Sequence, residues 1–399
     1  MDIIKKIEIY DKFVCTAGKC PFTCCEGWKI AIDPDTNRKW ENDIDKAPYL
    51  CKNVKTKKGS DGVDFFIKVG NQNRCPFFNE EGLCNVVVTC GEDYLPHTCE
   101  IYPRQENVWE NLEEHSLSCG CPATVDLIAN VEGKIRFLND KNEQLSCLRP
   151  ETLADTLPTN LAEMFPLTLP DNLTGAYELR EVMISLMQNH KFSLKGRILM
   201  ISQMLLKIRE NSDEAWNIMA DYQNENFLLS LSEKENWDNI NFDESLMELN
   251  ELFLDMVENY KKVKNFNQYL NDISDMAEFM DLEVCRGEWE FFKAEFAQQE
   301  LLMENCMVSK IFGNCISDDI DDMIMSYQMV ITECIMVKYS VFLKWLMNEK
   351  GSIKYNDIRN YLVIYTRIIG YNIDGIIEFW EDSFDDAIWD LNYMLLLIS

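Results

Sequence analysis

The N-terminal part of the chain crowds its cysteines to a degree that restricts how it can fold. Residues 13–28 read FVCTAGKCPFTCCEGW, so Cys15, Cys20, Cys24 and Cys25 fall within eleven positions. Of the 16 cysteines in the chain, 12 lie in its first 150 residues. Thiols at such density are explained by a disulfide framework, by a metal centre or by packing as buried free cysteines.

The expected compartment argues against disulfides. The start, MDIIKKIEIYDKF, lacks the apolar region of a secretory signal. No run of about 18 uninterrupted apolar residues predicts a transmembrane helix. We therefore expect a cytoplasmic protein with no membrane partner, in which a disulfide framework is disfavoured. A metal centre and a set of buried thiols both remain open.

Charge is distributed as unevenly as the cysteines. The chain carries a net charge of −30. Its first 150 residues contain 19 basic and 24 acidic residues, which leaves 19 basic and 44 acidic residues for the rest. Such acidity repels nucleic acid and anionic membranes, so we expect neither as a partner. It suits a basic, lysine-presenting partner, although acidity also simply favours solubility.

Residues 1–150 are predicted to form a small, cysteine-rich, loop-rich α+β module. The segment VDFFIKV (63–69) is typical of a strand, and a capped helix is expected to begin at Pro34. A turn at Asn79–Gly82 indicates a hairpin that would bring the cysteines on its two arms together.

The rest of the chain is predicted to be helical. Residues 151–172 hold several prolines, which interrupt regular structure, and we place a domain joint there. Residues 173–399 repeat apolar side chains at intervals of three and four, most clearly after Ser317, which is typical of helices. The charged Lys338 interrupts this last segment, so the segment is predicted to be a core helix and not a membrane span. The expected fold class is mainly α, with the small module followed by a larger all-helical domain.

The N-terminal cysteines form three groups. They are Cys15, Cys20, Cys24 and Cys25, then Cys75, Cys84, Cys90 and Cys99, then Cys119 and Cys121. Thiolates in loop-rich segments suit Zn²⁺ or an iron–sulfur cluster. No pair has the Cys-x2-Cys spacing of a zinc ribbon, and the Cys-x3-Cys-x2-Cys pattern of radical enzymes fails because Gly27 stands at its third position. The density of cysteines favours a metal centre but does not identify the metal.

Common catalytic motifs are absent from the sequence. It has no glycine-rich dinucleotide loop after a strand, no phosphate-binding loop and no Gly-x-Ser-x-Gly. His97, close to Cys99 in LPHTCEIYPR, is a candidate ligand or supporting hydrogen-bond donor, and a plain surface histidine is the alternative.

Four segments resemble the flagellin lysine-N-methylase family in the order in which that family has them. They are FVCTAGKCPFTCCEGWKIAID, CPFFNEEGLC, GEDYLPHTCEIYPR and LSCGCPA, within about residues 8–125. The resemblance implies methyl transfer to lysine ε-amines of flagellin, with S-adenosylmethionine as the donor. It also implies a cysteine-ligated centre, with a [4Fe-4S] iron–sulfur cluster expected and zinc as the alternative.

The same resemblance assigns metal-ligand candidates by position. The family cysteines match Cys15, Cys20, Cys24, Cys25, Cys75, Cys84, Cys99 and Cys119, and all of these except Cys15 are our candidates. Within them we favour Cys20, Cys24, Cys99 and Cys119 as a four-ligand set. Glu100 stands where a basic residue is expected, and Cys121 is an additional thiol.

Lysine chemistry suggests further site residues within the four segments. A lysine amine has a pKa of ~10.4, so roughly one in 2,500 is neutral at pH 7, and the site must attract, desolvate and deprotonate it. The candidates are Glu26, Asp93 and Tyr102 as catalytic groups, Trp28 and Tyr94 as substrate contacts, and Arg104 as a donor contact. Alternatively, Trp28 and Tyr102 cover the cluster, and Arg104 pairs with an acidic neighbour.

Two rival functions remain open. The first is a non-catalytic zinc or iron carrier or redox sensor, although the large acidic domain exceeds what a carrier needs. In the second, the helical part docks flagellin and a partner carries the chemistry.

Overall fold

The computed structural model describes most of the chain. The described residues are 3–26, 30–45, 47–59, 62–68, 74–108, 112–139, 144–145, 175–234, 241–258, 260, 264–370 and 390–398. They form a small N-terminal α/β module and a larger helical region, which confirms the predicted fold class. The predicted joint at 151–172 lies outside the described residues, so the domain division stays a prediction.

The described strands form two sheets in the N-terminal module. The strands are β1 (Ile3–Ile7), β2 (Ala31–Ile32), β3 (Val54–Gly59), β4 (Gly62–Ile67), β5 (Arg104–Val108), β6 (Leu112–Leu117), β7 (Phe137–Asn139) and β8 (Gln144–Leu145). The first sheet has the order β5-β6-β1-β7-β8, in which β1 is parallel to β6 and the other pairs are antiparallel. The second, antiparallel sheet has the order β2-β4-β3, and β4 confirms the strand predicted at 63–69.

Short helices connect these strands, and long helices form the rest. The module has α1 (Pro34–Asn42), α2 (Pro48–Lys52), α3 (Asn85–Cys90), α4 (His97–Ile101) and α5 (Pro122–Ala129). The helical region has α6 (Ala176–Met187), α7 (Leu194–Glu210), α8 (Ala215–Gln223), α9 (Glu225–Lys234), α10 (Phe242–Glu258), α11 (Lys264–Glu278), α12 (Leu282–Phe296), α13 (Glu300–Asn314), α14 (Ile320–Met347), α15 (Tyr355–Ile368) and α16 (Leu391–Ile398).

Helix α1 begins where the sequence predicts it. Asp33 is the N-cap and its side chain accepts the backbone N–H of Thr36 at 2.8 Å, while Pro34 occupies the first turn. An aspartate cap satisfies a donor that the helix start would leave unpaired, and proline loses nothing there. Trp40, one turn further along, is fully buried. The cap and the tryptophan together fix α1 against the rest of the module.

The predicted hairpin is correct at its turn and wrong in its second arm. Asn79 accepts the backbone N–H groups of Glu81 and Leu83 at 3.0 and 2.9 Å, and Gly82 has a φ of 78°. After this turn the chain forms the helix α3, in spite of its three consecutive valines. Val86 is buried against the module, which shows a tertiary contact overriding the preference of β-branched residues for strands.

Two apolar cores separate the module into two parts. The main core joins the first sheet to the helical region, for example through the rings of Phe137 and Phe312, whose centroids are 4.5 Å apart. The second core lies around Trp40 and Phe77, which meet edge to face at 5.8 Å. The second core is the part of the module against which several cysteines pack.

The long helix after Ser317 is a core element. α14 has 28 residues and is capped by Asp319, whose side chain accepts the backbone N–H groups of Asp321 and Asp322. None of the helices that the structure describes combines the length and apolar character that a bilayer crossing requires.

Close packing between α13 and the first sheet gives a stability prediction. A Cβ at Gly313 would lie 2.7 Å from Ser116 Oγ and 3.2 Å from Gln105 Oε1. We expect Gly313→Ala to lower the free energy of unfolding by about 1–3 kcal/mol, because buried neighbours must shift. Gly287→Ala in α12 is the matched control, since nothing lies within 4 Å. It should raise stability by up to about 1 kcal/mol. Equal effects of the two changes in urea unfolding would contradict the packing argument.

Candidate functional site

Helix α1 anchors the segment that carries Cys99. The indole Nε1–H of Trp40 donates to the carbonyl of Tyr94 at 3.0 Å. The Asp33 carboxylate, which caps α1, also accepts the backbone N–H of His97 at 2.9 Å. These two bonds fix the chain on both sides of the turn into α4, so the position of Cys99 depends on α1.

A backbone contact brings the first and second cysteine groups together. The backbone N–H of Cys75 donates to the carbonyl of Cys25 at 2.7 Å. Glu26 follows Cys25, and Arg74 precedes Cys75. Their backbones form an antiparallel β-bridge, and Glu26 Oε1 lies 3.0 Å from Arg74 Nε in an ion pair. Glu26 is only 6% exposed. The backbone bridge and the ion pair between the half-buried Arg74 and the buried Glu26 therefore hold the two segments side by side.

Five thiols come together on this framework. The Cys25 thiol contacts those of Cys24 and Cys75. The Cys99 thiol lies close enough to Cys24, Cys25 and Cys84 for the charge of their thiolate forms to affect its pKa. We call Cys24, Cys25, Cys75, Cys84 and Cys99 the thiol cluster. It contains five of the seven cysteines that the sequence named as ligand candidates.

The neighbouring sulfurs change one another's pKa. The contact with Cys25, followed by burial, raises the pKa of Cys24 far above its usual value. The contact with Cys24 lowers the pKa of Cys25, but Cys75 and burial together raise it to about 12. Burial, then the adjacent thiols, raises the pKa of Cys99. These groups are therefore thiols at neutral pH, and a bound cation would favour the thiolates instead.

The thiol cluster is not arranged as a finished ligand set. Within the described ranges, no group of three or more histidine, cysteine, aspartate or glutamate side chains has an arrangement that could hold a metal ion. The donors are of the kind that zinc and iron–sulfur clusters take, and their number is sufficient. The residues thus fit a metal centre by chemical type and proximity, while the ligand geometry is not formed.

The two remaining ligand candidates, Cys20 and Cys119, are not members of the thiol cluster. Cys20 is beside the thiol cluster, within electrostatic range of Cys24, and its thiol donates to the carbonyl of Phe22 at 3.0 Å. Cys119 is 1% exposed in the main core, where its thiol contacts Cys306 of α13. The structure therefore brings three members of the favoured set, Cys20, Cys24 and Cys99, to one region and places the fourth in another environment.

Cys119 belongs to a buried polar group of the helical region. Contact with Cys306, then the Lys310 ammonium, lowers the pKa of Cys119 against the opposing effect of burial. Lys310 forms a buried ion pair with Glu333, which also accepts the hydroxyl of Thr366 at 2.8 Å. This environment is charged and closely packed.

The surface beside Cys99 already binds an ammonium group. The Lys39 Nζ lies 4.3 Å from the centroid of the Tyr94 ring and donates to the carbonyl of Asp93 at 2.7 Å. The Tyr94 hydroxyl donates to Asp43. Asp93 is exposed to solvent. The predicted substrate contact Tyr94 and the predicted catalytic residue Asp93 thus lie on a surface that is suited to cations.

The other predicted residues are distributed more widely. Tyr102 packs against the main core. The Arg104 guanidinium lies 5.5 Å from the ring centroid of Tyr10 and 5.2 Å from that of Phe13. Trp28 lies outside the described residues. His97 is exposed, with its Nδ1 3.8 Å from Glu100, which favours the surface alternative for this histidine.

Sequence reasoning missed Arg367. This residue of α15 is 2% exposed and donates to backbone carbonyls of two cysteine-bearing loops. Its guanidinium also lowers the pKa of Cys24, although the Cys25 contact and burial raise it more. An isolated arginine within the apolar run YLVIYTRIIG was the available indication, because a buried cation needs polar partners.

These features define a cysteine-rich protein in which a thiol cluster on a small α/β module is supported by a helical region. The profile of the FliB lysine N-methylase C-terminal domain matches residues 180–397, more than half of the chain. The chain therefore belongs to the FliB lysine N-methylase family, which confirms the resemblance seen in the N-terminal motifs.

Similar proteins carry names from the same family. Flagellar biosynthetic protein FliU of Salmonella muenchen is 32% identical over 121 residues, which are 30% of this chain and 72% of FliU. The lysine-N-methylases of Salmonella choleraesuis and Salmonella typhimurium are 32% and 30% identical over 124 and 125 residues. Each of these two matches spans 30% of this chain and 30% of the relative. No solved structure matches.

Proposed function

We propose that the chain is a protein-lysine N-methyltransferase that modifies flagellin in the cytoplasm before export, with S-adenosylmethionine as the donor. Membership of the FliB lysine N-methylase family is the observation that carries this proposal. Two relatives bear the name lysine-N-methylase, and a third is named a flagellar biosynthetic protein.

An iron–sulfur centre bound by the thiol cluster is part of the proposal, with zinc as the alternative. The support is the approach of cysteines from separate segments, with Cys20 beside them. Such a centre, when bound, supplies either one-electron chemistry or, for zinc, a Lewis acid. The protein's own contribution is to hold the sulfurs close and partly shielded from water.

The surface beside Cys99 is the proposed place of the substrate lysine. Its support is the binding of the Lys39 ammonium by the Tyr94 ring and the Asp93 carbonyl. A substrate lysine at this ring displaces Lys39. Asp93 is the best-placed proton acceptor of the three candidates, because Glu26 is paired with Arg74 and Tyr102 packs on the main core.

A transfer assay tests the proposed function. The anaerobically purified chain, after iron and sulfide reconstitution or zinc loading, is incubated with flagellin and methyl-labelled S-adenosylmethionine. We expect label on flagellin lysines, located by mass spectrometry of peptides. Flagellin with acetylated lysines is the control and should take up none, since acetylation converts the nucleophilic amine into an amide, whose nitrogen is not nucleophilic.

The assay also separates the rivals. A chain that binds metal but transfers no label to intact flagellin in either metal form would be a carrier or redox sensor. Label that appears only after a cell extract is added would assign the chemistry to a partner and leave the helical region as a docking module.

A further inference from the structure

We propose that Arg367 is a positioning residue for the thiol cluster, because it fixes two cysteine-bearing loops of the module from within the helical region. The inference rests on the proposed cysteine-ligated centre and goes beyond it by assigning part of its construction to α15. The three hydrogen bonds described for Arg367 go to backbone carbonyls, so the role proposed for it is to place other residues.

One guanidinium joins two loops that are far apart in sequence. The Nε–H of Arg367 donates to the carbonyl of Gly120 at 2.9 Å. Its Nη1 donates to the carbonyl of Thr23 at 2.8 Å, and its Nη2 to that of Phe22 at 3.1 Å. A guanidinium is planar and presents its donors in a rigid fork, so three bonds set the mutual orientation of both loops.

The contacts of Arg367 lie directly beside the cysteines. Thr23 immediately precedes Cys24, and Gly120 lies between the third-group cysteines. The Phe22 carbonyl that accepts from Arg367 also accepts the Cys20 thiol at 3.0 Å. A shift of this carbonyl would therefore move both the Cys20 bond and the start of the Cys24–Cys25 turn.

The Phe22 side chain strengthens the same connection. Its ring is 1% exposed and stacks on Tyr269 of α11, with centroids 5.1 Å apart. The Arg367 guanidinium carbon lies 5.8 Å from the centroid of that ring. The Phe22 ring thus packs the loop against the helical region, and the Arg367 guanidinium hydrogen-bonds the same loop.

The burial of Arg367 argues that these bonds are strong. A cation removed from water costs free energy unless acceptors replace the solvent, and three carbonyls do so here. Hydrogen bonds from charged donors contribute more than neutral ones. Arg367 also falls within the region that matches the family's C-terminal domain, so a residue of that domain shapes the N-terminal cysteine site.

Cysteine accessibility in the metal-free protein provides the test. The full chain is compared with Arg367→Gln and Arg367→Lys, and iodoacetamide labelling of Cys20 and Cys24 is followed by peptide mass spectrometry. We expect Arg367→Gln to raise the rate at the half-buried Cys20 by about tenfold or more, because the loss of even one charged hydrogen bond allows such an increase in loop opening. The rate at Cys24, which is already exposed, should rise by less. Arg367→Lys should have a smaller effect, since an ammonium retains charge without the fork. Cys51 serves as the internal reference.

Arg359→Gln is the matched control. Arg359 lies on the same helix, is largely buried, and pairs with Asp126 of α5 at 3.4 Å, whereas none of its described hydrogen bonds reaches the two cysteine loops. It should leave the labelling rates of Cys20 and Cys24 unchanged. Iron and zinc content after reconstitution is the second readout, and it should fall for the Arg367 variants alone.

The possible results decide between a positioning role and a general structural one. Unchanged labelling rates in folded Arg367 variants, or equal increases in Arg359→Gln, would overturn the proposal. So would the loss of helical circular dichroism in both Arg367 variants, which would show a requirement for folding as a whole. If the parent chain binds no metal or transfers no methyl group, the proposed function fails, while the labelling comparison still judges the positioning of the loops.

Discussion

Glu114→Ala is expected to lower the free energy of unfolding by about 3–5 kcal/mol, the largest stability effect that the structure suggests. Glu114 of β6 and Arg180 of α6 are both 0% exposed in their side chains. Their carboxylate and guanidinium form two bonds of 2.6 Å each. Arg180 also donates to the carbonyl of Phe312 in α13 at 3.3 Å. Removal of the carboxylate leaves the buried guanidinium with the longer ion pair to Glu181, at 3.4 Å, in place of its two short bonds to Glu114.

A double variant separates the loss of the pair from the loss of packing. Glu114→Leu with Arg180→Met replaces both charges by apolar groups, and we expect it to recover most of the stability lost in Glu114→Ala. Asp35→Ala removes one partner of the exposed pair between Asp35 and Arg38 and should have little effect. Urea unfolding monitored by circular dichroism measures all three. A double variant as unstable as the single one would contradict this explanation.

Cys25→Ser is expected to abolish metal binding and methyl transfer. Cys25 contacts both Cys24 and Cys75 and is thus central to the thiol cluster. A serine hydroxyl is a poor ligand for metals that prefer thiolate. Loss of a residue that merely supports a ligand reduces affinity or activity by about 10–100-fold, so the loss of a ligand should exceed that range. Metal content after reconstitution and the flagellin labelling assay measure the two effects.

Two further cysteine variants complete this test. Cys51→Ser is the control, because Cys51 packs at the edge of the second core and should tolerate the change with metal content unaltered. Cys119→Ser distinguishes the ligand sets, because Cys119 lies beside Cys306 in the main core. Full metal content in Cys119→Ser would confine the ligands to the thiol cluster and Cys20. Metal content retained in Cys25→Ser would refute a centre built on the thiol cluster.

Local features of the chain were predicted well because they depend on neighbouring residues. Asp33 and Pro34 specify the start of α1 through a cap and a fixed φ. Asn79 and Gly82 specify a turn through side-chain bonds and a positive φ. The second arm of the hairpin was wrong, since the burial of Val86 depends on residues far away in sequence.

The candidate site likewise combines residues that local sequence reveals with residues that only tertiary contacts reveal. The cysteine segments were recognisable as motifs, and their order led to the family. Arg367 was not recognised as part of the site, because its three acceptors are backbone carbonyls, which any residue supplies and no motif records. The contact of the Cys119 thiol with Cys306 in the main core was equally invisible, although Cys119 and Cys24 belong to one set of motifs.

By itself, the sequence determined the fold class, the family and which cysteines were candidates, because spacing, caps and residue type are written along the chain. Only the tertiary structure decided which thiols meet, that the Tyr94 ring holds Lys39, and that α15 fixes the cysteine loops. The physical reason is that these contacts form between segments separated by tens to hundreds of residues. Burial and charge at such contacts depend on how the helices and sheets pack, and local sequence does not encode that packing in a readable form.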